Sequence, residues 1–252
     1  MSRRRSVDEV NTSLPAALAK ALPLLADPPE HPDAGSGYLD LLADPSAQGP
    51  DRNTGAIQAL WASTLGARFY DNAQTIARRL TTIWQEPTQW LDLPEGGVAL
   101  DVGSGPGNVT AALGRAVGPS GLALGVDVSV PMLTRAVRAQ AGPTVGFIRA
   151  DAQRLPLRDA TVDAVVSVAM LQLIPDPAVA LAEMVRVLRP GRRLAVMVPT
   201  AGPGARLLRF LPNAGAHAFG EDEIGDTLER LGLTGVRTKS IGAVQWARGR
   251  KP

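Results

Sequence analysis

The sequence contains no cysteine in 252 residues, which excludes disulfides and thiolate-bound metals. Its two histidines, His31 and His217, are too few for a histidine metal cluster, so no metal site is expected. Lysine is nearly missing as well: Lys20, Lys239 and Lys251 stand among 26 basic residues, and the rest are arginine. With 24 acidic residues to balance them, the formal net charge is only +2. Such a balance argues against nucleic acid as a partner, despite the high isoelectric point. Also absent is any apolar run near the roughly 18 residues of a membrane helix, so no stable membrane insertion is expected. Arg3-Arg4-Arg5 ahead of the apolar stretch Leu14–Leu25 has the order of a secretion signal. However, Asp8 and Glu9 intervene, and Lys20 and Pro23 break the stretch. The expectation is a cytoplasmic protein.

What is present is a strand, a glycine turn and a helix, in that order. Val98-Ala-Leu-Asp-Val102 is an apolar run whose only charge is Asp101, and Gly103, Gly105 and Gly107 follow at alternate positions. Asn108-Val-Thr-Ala-Ala-Leu113 then begins a helical pattern. Strand, glycine turn and helix together form a cofactor-binding loop, because glycine lets the backbone and its N–H groups approach a ligand closely. The dinucleotide fingerprint is G-x-G-x-x-G, whereas this loop reads G-x-G-x-G, with Asn108 where the last glycine of that pattern belongs. Two further strands end in acids. Gly121–Val128 carries Asp127, 20 residues after Gly107, and Val145–Arg149 runs into Ala150-Asp151-Ala152. A strand-end carboxylate at the first of these positions can accept both hydroxyls of a ribose.

This set resembles the class I S-adenosylmethionine-dependent methyltransferases, most closely the broad family that includes the ubiquinone and menaquinone biosynthesis enzymes. The likeness covers residues 96–200 well and 220–252 more loosely. It continues through Asp163-Ala-Val-Val-Ser-Val168 and Met170-Leu-Gln-Leu-Ile-Pro-Asp-Pro177, where relatives often carry two histidines in place of Gln172-Leu173. It ends in Leu181-Ala-Glu-Met-Val-Arg-Val-Leu-Arg-Pro-Gly191, where Arg192 replaces a second glycine.

The remaining pattern completes an α/β domain. Helices are expected over Asn108–Val117, after Ser129 as N-cap with Pro131 in the first turn, over Pro177–Leu188, and from Glu221 to Gly232. Arg193–Val198 reads as the fifth strand, and Val236–Ile241 with Ala243–Arg248 as a closing hairpin. Alternating strands and helices imply a Rossmann-like, doubly wound, mainly parallel sheet of seven strands, with order 3-2-1-4-5-7-6 by resemblance. Ahead of this domain, residues 96–252, lie two segments. Residues 1–54 are a Pro/Ala-rich extension with short helices near Val7–Leu25 and around Tyr38–Leu42. Residues 55–95 are a helical lid, with Ile57, Leu60, Trp61 and Leu65 sharing one face and Ile76, Leu80, Ile83 and Trp84 another.

The resemblance also implies roles. The glycine loop, Gly103, Ser104, Gly105, Pro106 and Gly107, faces the methionine portion of the cofactor S-adenosylmethionine. Ser104 offers a hydroxyl there, and Asp101 supports the loop or the ammonium. Asp127 takes the ribose, Asp151 and the Ala152 N–H take the adenine edge, and Val128, Met132 and Leu155 enclose the ring. Val168 and Tyr70 border the same site, and Trp61, Tyr70, Gln172 and His217 line the acceptor pocket. Methyl transfer from a sulfonium needs mainly alignment. His217 is the leading candidate base, with Asp71 and Gln172 behind it; a histidine between alanines serves structure more often than catalysis. The aromatic sequence that follows strand four in enzymes acting on nucleobase amines is missing, since Ser167-Val-Ala-Met170 stands there. The expected partner is thus a small, apolar methyl acceptor (a quinone, polyketide or lipid-like molecule), and a homodimer is compatible with this. A nicotinamide-dependent oxidoreductase and an inactive methyltransferase-like binding protein are the alternatives.

Overall fold

The computed structural model describes residues 14–42, 89–199, 219–242 and 244–252. The lid segment from 55 to 88, with Trp61, Tyr70 and Asp71, lies outside the described residues, as does His217.

Eight strands form one sheet: β1 (Leu39–Asp40), β2 (Val98–Val102), β3 (Leu122–Asp127), β4 (Val145–Arg149), β5 (Val162–Val168), β6 (Leu188–Pro199), β7 (Thr234–Ile241) and β8 (Val244–Arg250). Their order is β1-β4-β3-β2-β5-β6-β8-β7. Without β1 this is the expected seven-strand order, parallel except for β8, which runs antiparallel to β6 and β7. The five helices described here are α1 (Ala16–Ala21), α2 (Asn108–Ala116), α3 (Val130–Gln140), α4 (Pro177–Val187) and α5 (Glu223–Arg230).

Continuous apolar strands arise because the sheet is covered on both faces. Leu100, Val102, Leu124, Val126, Ile148, Val165 and Val196 point to one face, where α1, α4 and α5 pack through Leu18, Leu181, Met184, Ile224 and Leu228. The alternate residues Ala99, Ala123, Phe147, Ala164 and Val166 point to the other, against Leu113 of α2 and Leu133 and Ala136 of α3. Helix α4 starts at Pro177 because the Asp176 carboxylate accepts from the Ala178 and Val179 N–H groups. At its far end, Lys251 Nζ donates to the carbonyls of Val185 and Leu188 at 2.8 and 2.7 Å. Arg192 has a structural use: with Arg189 it ion-pairs the buried Asp163, which also accepts from the Val98 N–H. The bottoms of β2, β5 and β6 are thereby joined.

Two expectations change. The segment around Tyr38–Leu42 is not helical. Leu39 and Asp40 instead form β1, parallel to β4, because Leu39 is fully buried in the sheet core while β4 offers a free edge. Ser129 stands at the N-cap of α3, but its side chain makes no capping bond; its N–H donates to Asp127. Residues 14–42 are integral to the domain. Ala17 and Leu18 are buried against Gly146 of β4, and Leu25 bridges Leu157. Leu18→Ala should therefore cost about 2–5 kcal/mol, the usual price of a buried leucine truncation. Urea unfolding measures this directly, and an unchanged midpoint would mean that α1 is only loosely attached.

Candidate functional site

The carboxyl ends of β2, β3, β4 and β5 meet on one rim, around β2, whose neighbours connect in opposite directions. Open α/β sheets bind ligands at such a switch point. A cleft there is lined by Gly103, Asp127, Val128, Asp151 and Ala152, with Val126, Ala150, Met170 and Ile174 completing its apolar wall. The larger hollow among the described residues lies elsewhere, lined by Pro15, Leu18, Val137 and Pro143, and offers no titratable side chain.

The glycine loop is built by close packing. A Cβ on Gly103 would lie 2.3–2.4 Å from Met170 side-chain carbons, and one on Gly107 would lie 2.6 Å from the Phe147 ring. Both glycines also have left-handed backbones, φ 77° and 80°. Met170 reaches the loop because the chain kinks at Ala169, a non-glycine residue at φ 53° just past β5.

The loop's N–H groups turn inward, contrary to the sequence expectation that they face a ligand. Gly103 and Ser104 both donate to the Val126 carbonyl, Gly107 donates to Ser104, and Gly105 donates to Asp127 Oδ2 at 2.8 Å. Pro106 has none. The Gly103 and Gly105 carbonyls, by contrast, accept from no donor among the described residues. The loop thus keeps its donors for the fold.

Two carboxylates lie beneath it. Asp101 is 1% exposed and accepts from Thr110 Oγ1 at 2.6 Å, at the N-terminal turn of α2. Burial pushes its pKa up to about 7, and the nearby Asp127 charge adds to the rise, against the lowering effect of the Thr110 bond. Burial likewise raises Asp127, although the N–H groups of Ser129 and Gly105 hold its ionised form. Across the cleft, Asp151 Oδ1 accepts from the Gln153 N–H, leaving Oδ2 open, and the adjacent Ala152 N–H has no acceptor among the described residues.

The other expected residues are dispersed. Ser104 is buried, with its hydroxyl unpartnered against Gly125 rather than in the cleft. Met132 and Leu155 are buried, and Val168 is half-buried at the end of β5. Gln172 turns back on its own loop, donating to the Ala169 carbonyl at 2.7 Å. Val126 and Ala150 were not expected as cleft residues. Their position at or just past strand ends was the available signal.

Residues 100–196 match the family described as methyltransferase domain. The chain is 33% identical over 150 residues to a demethylmenaquinone methyltransferase of Roseiflexus sp. (strain RS-1), covering 59% of this chain and 55% of that protein. It is 32% identical over 112 residues to a 2-phytyl-1,4-naphtoquinone methyltransferase of Thermosynechococcus vestitus, covering 43% and 49%. A SAM-dependent methyltransferase from Aquifex aeolicus superposes with a TM-score of 0.54 at 26% identity, covering 66% of this chain and 88% of that one. The matches span 27% to 55% of the lengths of the first of these curated relatives.

S-adenosylmethionine fits the site by its chemistry. Its ribose hydroxyls would be donors for Asp127, and its ammonium would suit the carboxylates of Asp101 and Asp127. Its adenine edge pairs a donor with an acceptor, the complement of Asp151 Oδ2 and the Ala152 N–H.

Because Asp101 has a higher pKa folded than unfolded, the folded protein binds more protons between about pH 4 and pH 7, and stability falls across that window. Asp101→Asn keeps the acceptor for Thr110 and removes this term. Its stability advantage over the wild type should therefore grow by up to about 1.4 kcal/mol per pH unit across the window and level off above it. Urea unfolding at pH 5 and pH 8 checks this; an equal difference at both would show Asp101 to be ionised throughout.

Asp127→Ala should weaken S-adenosylhomocysteine binding by roughly 10- to 100-fold, since each charge-assisted bond to a ribose hydroxyl contributes about 1.5–3 kcal/mol. Two stability effects oppose each other in this variant: the Gly105 and Ser129 N–H groups lose their acceptor, but a half-buried charge is removed. Titration calorimetry beside melting curves separates binding from folding, and wild-type affinity would end the ribose assignment.

Proposed function

From the class I S-adenosylmethionine-dependent methyltransferase domain at residues 100–196, we propose that this chain transfers a methyl group to an oxygen or carbon of a small, apolar acceptor. Quinone, polyketide and lipid-like molecules are the acceptor classes of this reading, and the cytoplasm is its location. The inward turn of the glycine-loop N–H groups carries the argument. A dinucleotide's pyrophosphate needs those donors and the helix N-terminus beyond them. Here the donors are used by Val126, Ser104 and Asp127, and Asp101 brings a carboxylate to the first turn of α2.

The cofactor supplies a methyl carbon activated by sulfonium. Transfer to a hydroxyl or ring carbon would break the C–S bond with its electron pair kept by sulfur, and the acceptor's proton would leave to solvent. The protein's part is alignment, bringing the nucleophile to about 3–3.5 Å from the methyl group. In this reading Asp127 and Asp151 fix the adenosine, Asp101 holds the cationic end, and Met170 and Ile174 exclude water beside the ring. The quinone acceptors named for the relatives, the apolar Met170–Ile174 wall and the near-neutral charge favour an apolar acceptor over nucleic acid. Among the described residues, no helix is long and apolar enough to cross a membrane.

S-adenosylhomocysteine should raise the melting temperature, and NADH should leave it unchanged. Incubation with S-adenosylmethionine and a 1,4-naphthoquinol should then yield a product one methyl heavier by mass spectrometry. Stabilisation by NADH alone would refute the methyltransferase reading. Cofactor binding without turnover on any quinol, polyketide or lipid-like acceptor would favour the binding-protein alternative.

A further inference from the structure

The added strand β1 ends on the cofactor rim and places three charged residues in one row. Asp40 of β1 is in register with Arg149 of β4, and Arg149 is in register with Asp127 of β3. Leu39, Ile148 and Val126, the residues just before them, point together into one face of the core, so these three side chains share the opposite face. An arginine thus stands between two aspartates, one on each neighbouring strand, where opposite charges attract.

Arg149 pairs with only one of them. Its Nη1 lies 3.0 and 3.4 Å from the two Asp40 carboxylate oxygens, and both side chains are largely shielded, at 22% and 15% exposure. Its Nε–H donates to the Val128 carbonyl at 3.2 Å. Asp40 is itself held, since its Oδ1 accepts from the Leu42 N–H at 3.0 Å and the Leu41 N–H donates to the Arg149 carbonyl. Among the described residues, Asp127 by contrast accepts from backbone N–H groups, Gly105 and Ser129 at 2.8 Å each.

We propose that Asp40 is a positioning residue for the cofactor: it holds the Arg149 guanidinium away from Asp127 and so keeps the ribose-binding carboxylate free of an internal cation. The proposal rests on the reading of the cleft as an S-adenosylmethionine site. Without Asp40, Arg149 keeps a single backbone acceptor, and the acid opposite it on β3 becomes its natural partner. A guanidinium on Asp127 competes with the ribose hydroxyls. It also places positive charge beside a cationic ligand.

This is sequestration rather than support, and it predicts suppression. Asp40→Ala should weaken both S-adenosylhomocysteine and 5′-methylthioadenosine roughly tenfold, the equivalent of about one charge-assisted hydrogen bond. The losses should match, because both ligands carry the ribose. Arg149→Met should cost less, about two- to threefold, through the lost bond to Val128 alone. The double variant should bind like Arg149→Met, recovering most of the affinity lost in Asp40→Ala. Titration calorimetry on the full chain reads all four proteins, with melting curves to confirm folding. Asp40→Asn, which keeps the acceptor geometry without the charge, serves if Asp40→Ala does not fold, with the same expected direction and suppression. A double variant as weak as Asp40→Ala, an Arg149→Met loss as large, or an unchanged affinity in the Asp40 variant would each overturn the proposal. Failure of the wild type to bind either ligand would instead remove the cofactor reading itself.

Discussion

Two carboxylates under a glycine loop, Asp101 buried and Asp127 half-buried, set the terms for this site. Asp101 and Asp127 stand at the ends of adjacent parallel strands, and taking either charge out of water is costly. The protein offsets that cost with donors from its own backbone and hydroxyls: Thr110 for Asp101, and Gly105 and Ser129 for Asp127. Those bonds also shape the loop, because the Gly105 N–H that steadies Asp127 is the one the loop would otherwise turn to a ligand. Local backbone geometry, charge and ligand preference are thus one coupled arrangement.

The coupling explains why a Rossmann-like fold can serve a cation. The fold alone is shared by phosphate binders and sulfonium binders, so it does not choose between them. The choice lies in which groups the loop leaves open. Spent N–H groups leave this loop without the donors that a phosphate needs. Met170 adds shape by lying on Gly103 at a distance that no side chain on that residue would allow.

Stability and binding pull in opposite directions here. An acid kept near pKa 7 destabilises the empty protein at neutral pH, and a positively charged ligand relieves it. The central strands tolerate this because both of their faces are packed, and the far ends of β2, β5 and β6 are tied through Asp163, Arg189 and Arg192.

Much of this was legible in the sequence. The apolar runs of β2 to β6, the alternate glycines and the acids at positions 101, 127 and 151 are local features, and strand, turn and helix propensities act over short distances. They sufficed for the parallel core, for its strand order through the family resemblance, and for the rim on which those acids gather. Tertiary structure decided the rest. Residues 39 and 40 became a strand because β4 had a free edge, which no window around Tyr38 reveals. Ser104 turned into the core and Gln172 onto its own loop, since hydroxyl and amide groups follow whichever partner the fold brings near. The inward turn of the loop N–H groups depends on Val126 and Asp127, more than twenty residues along the chain. Asp40 and Arg149 lie further apart still in sequence, and only strand register sets them in one row with Asp127. Local chemistry decides which elements form, but which donor meets which acceptor across strands is decided by packing the whole sheet.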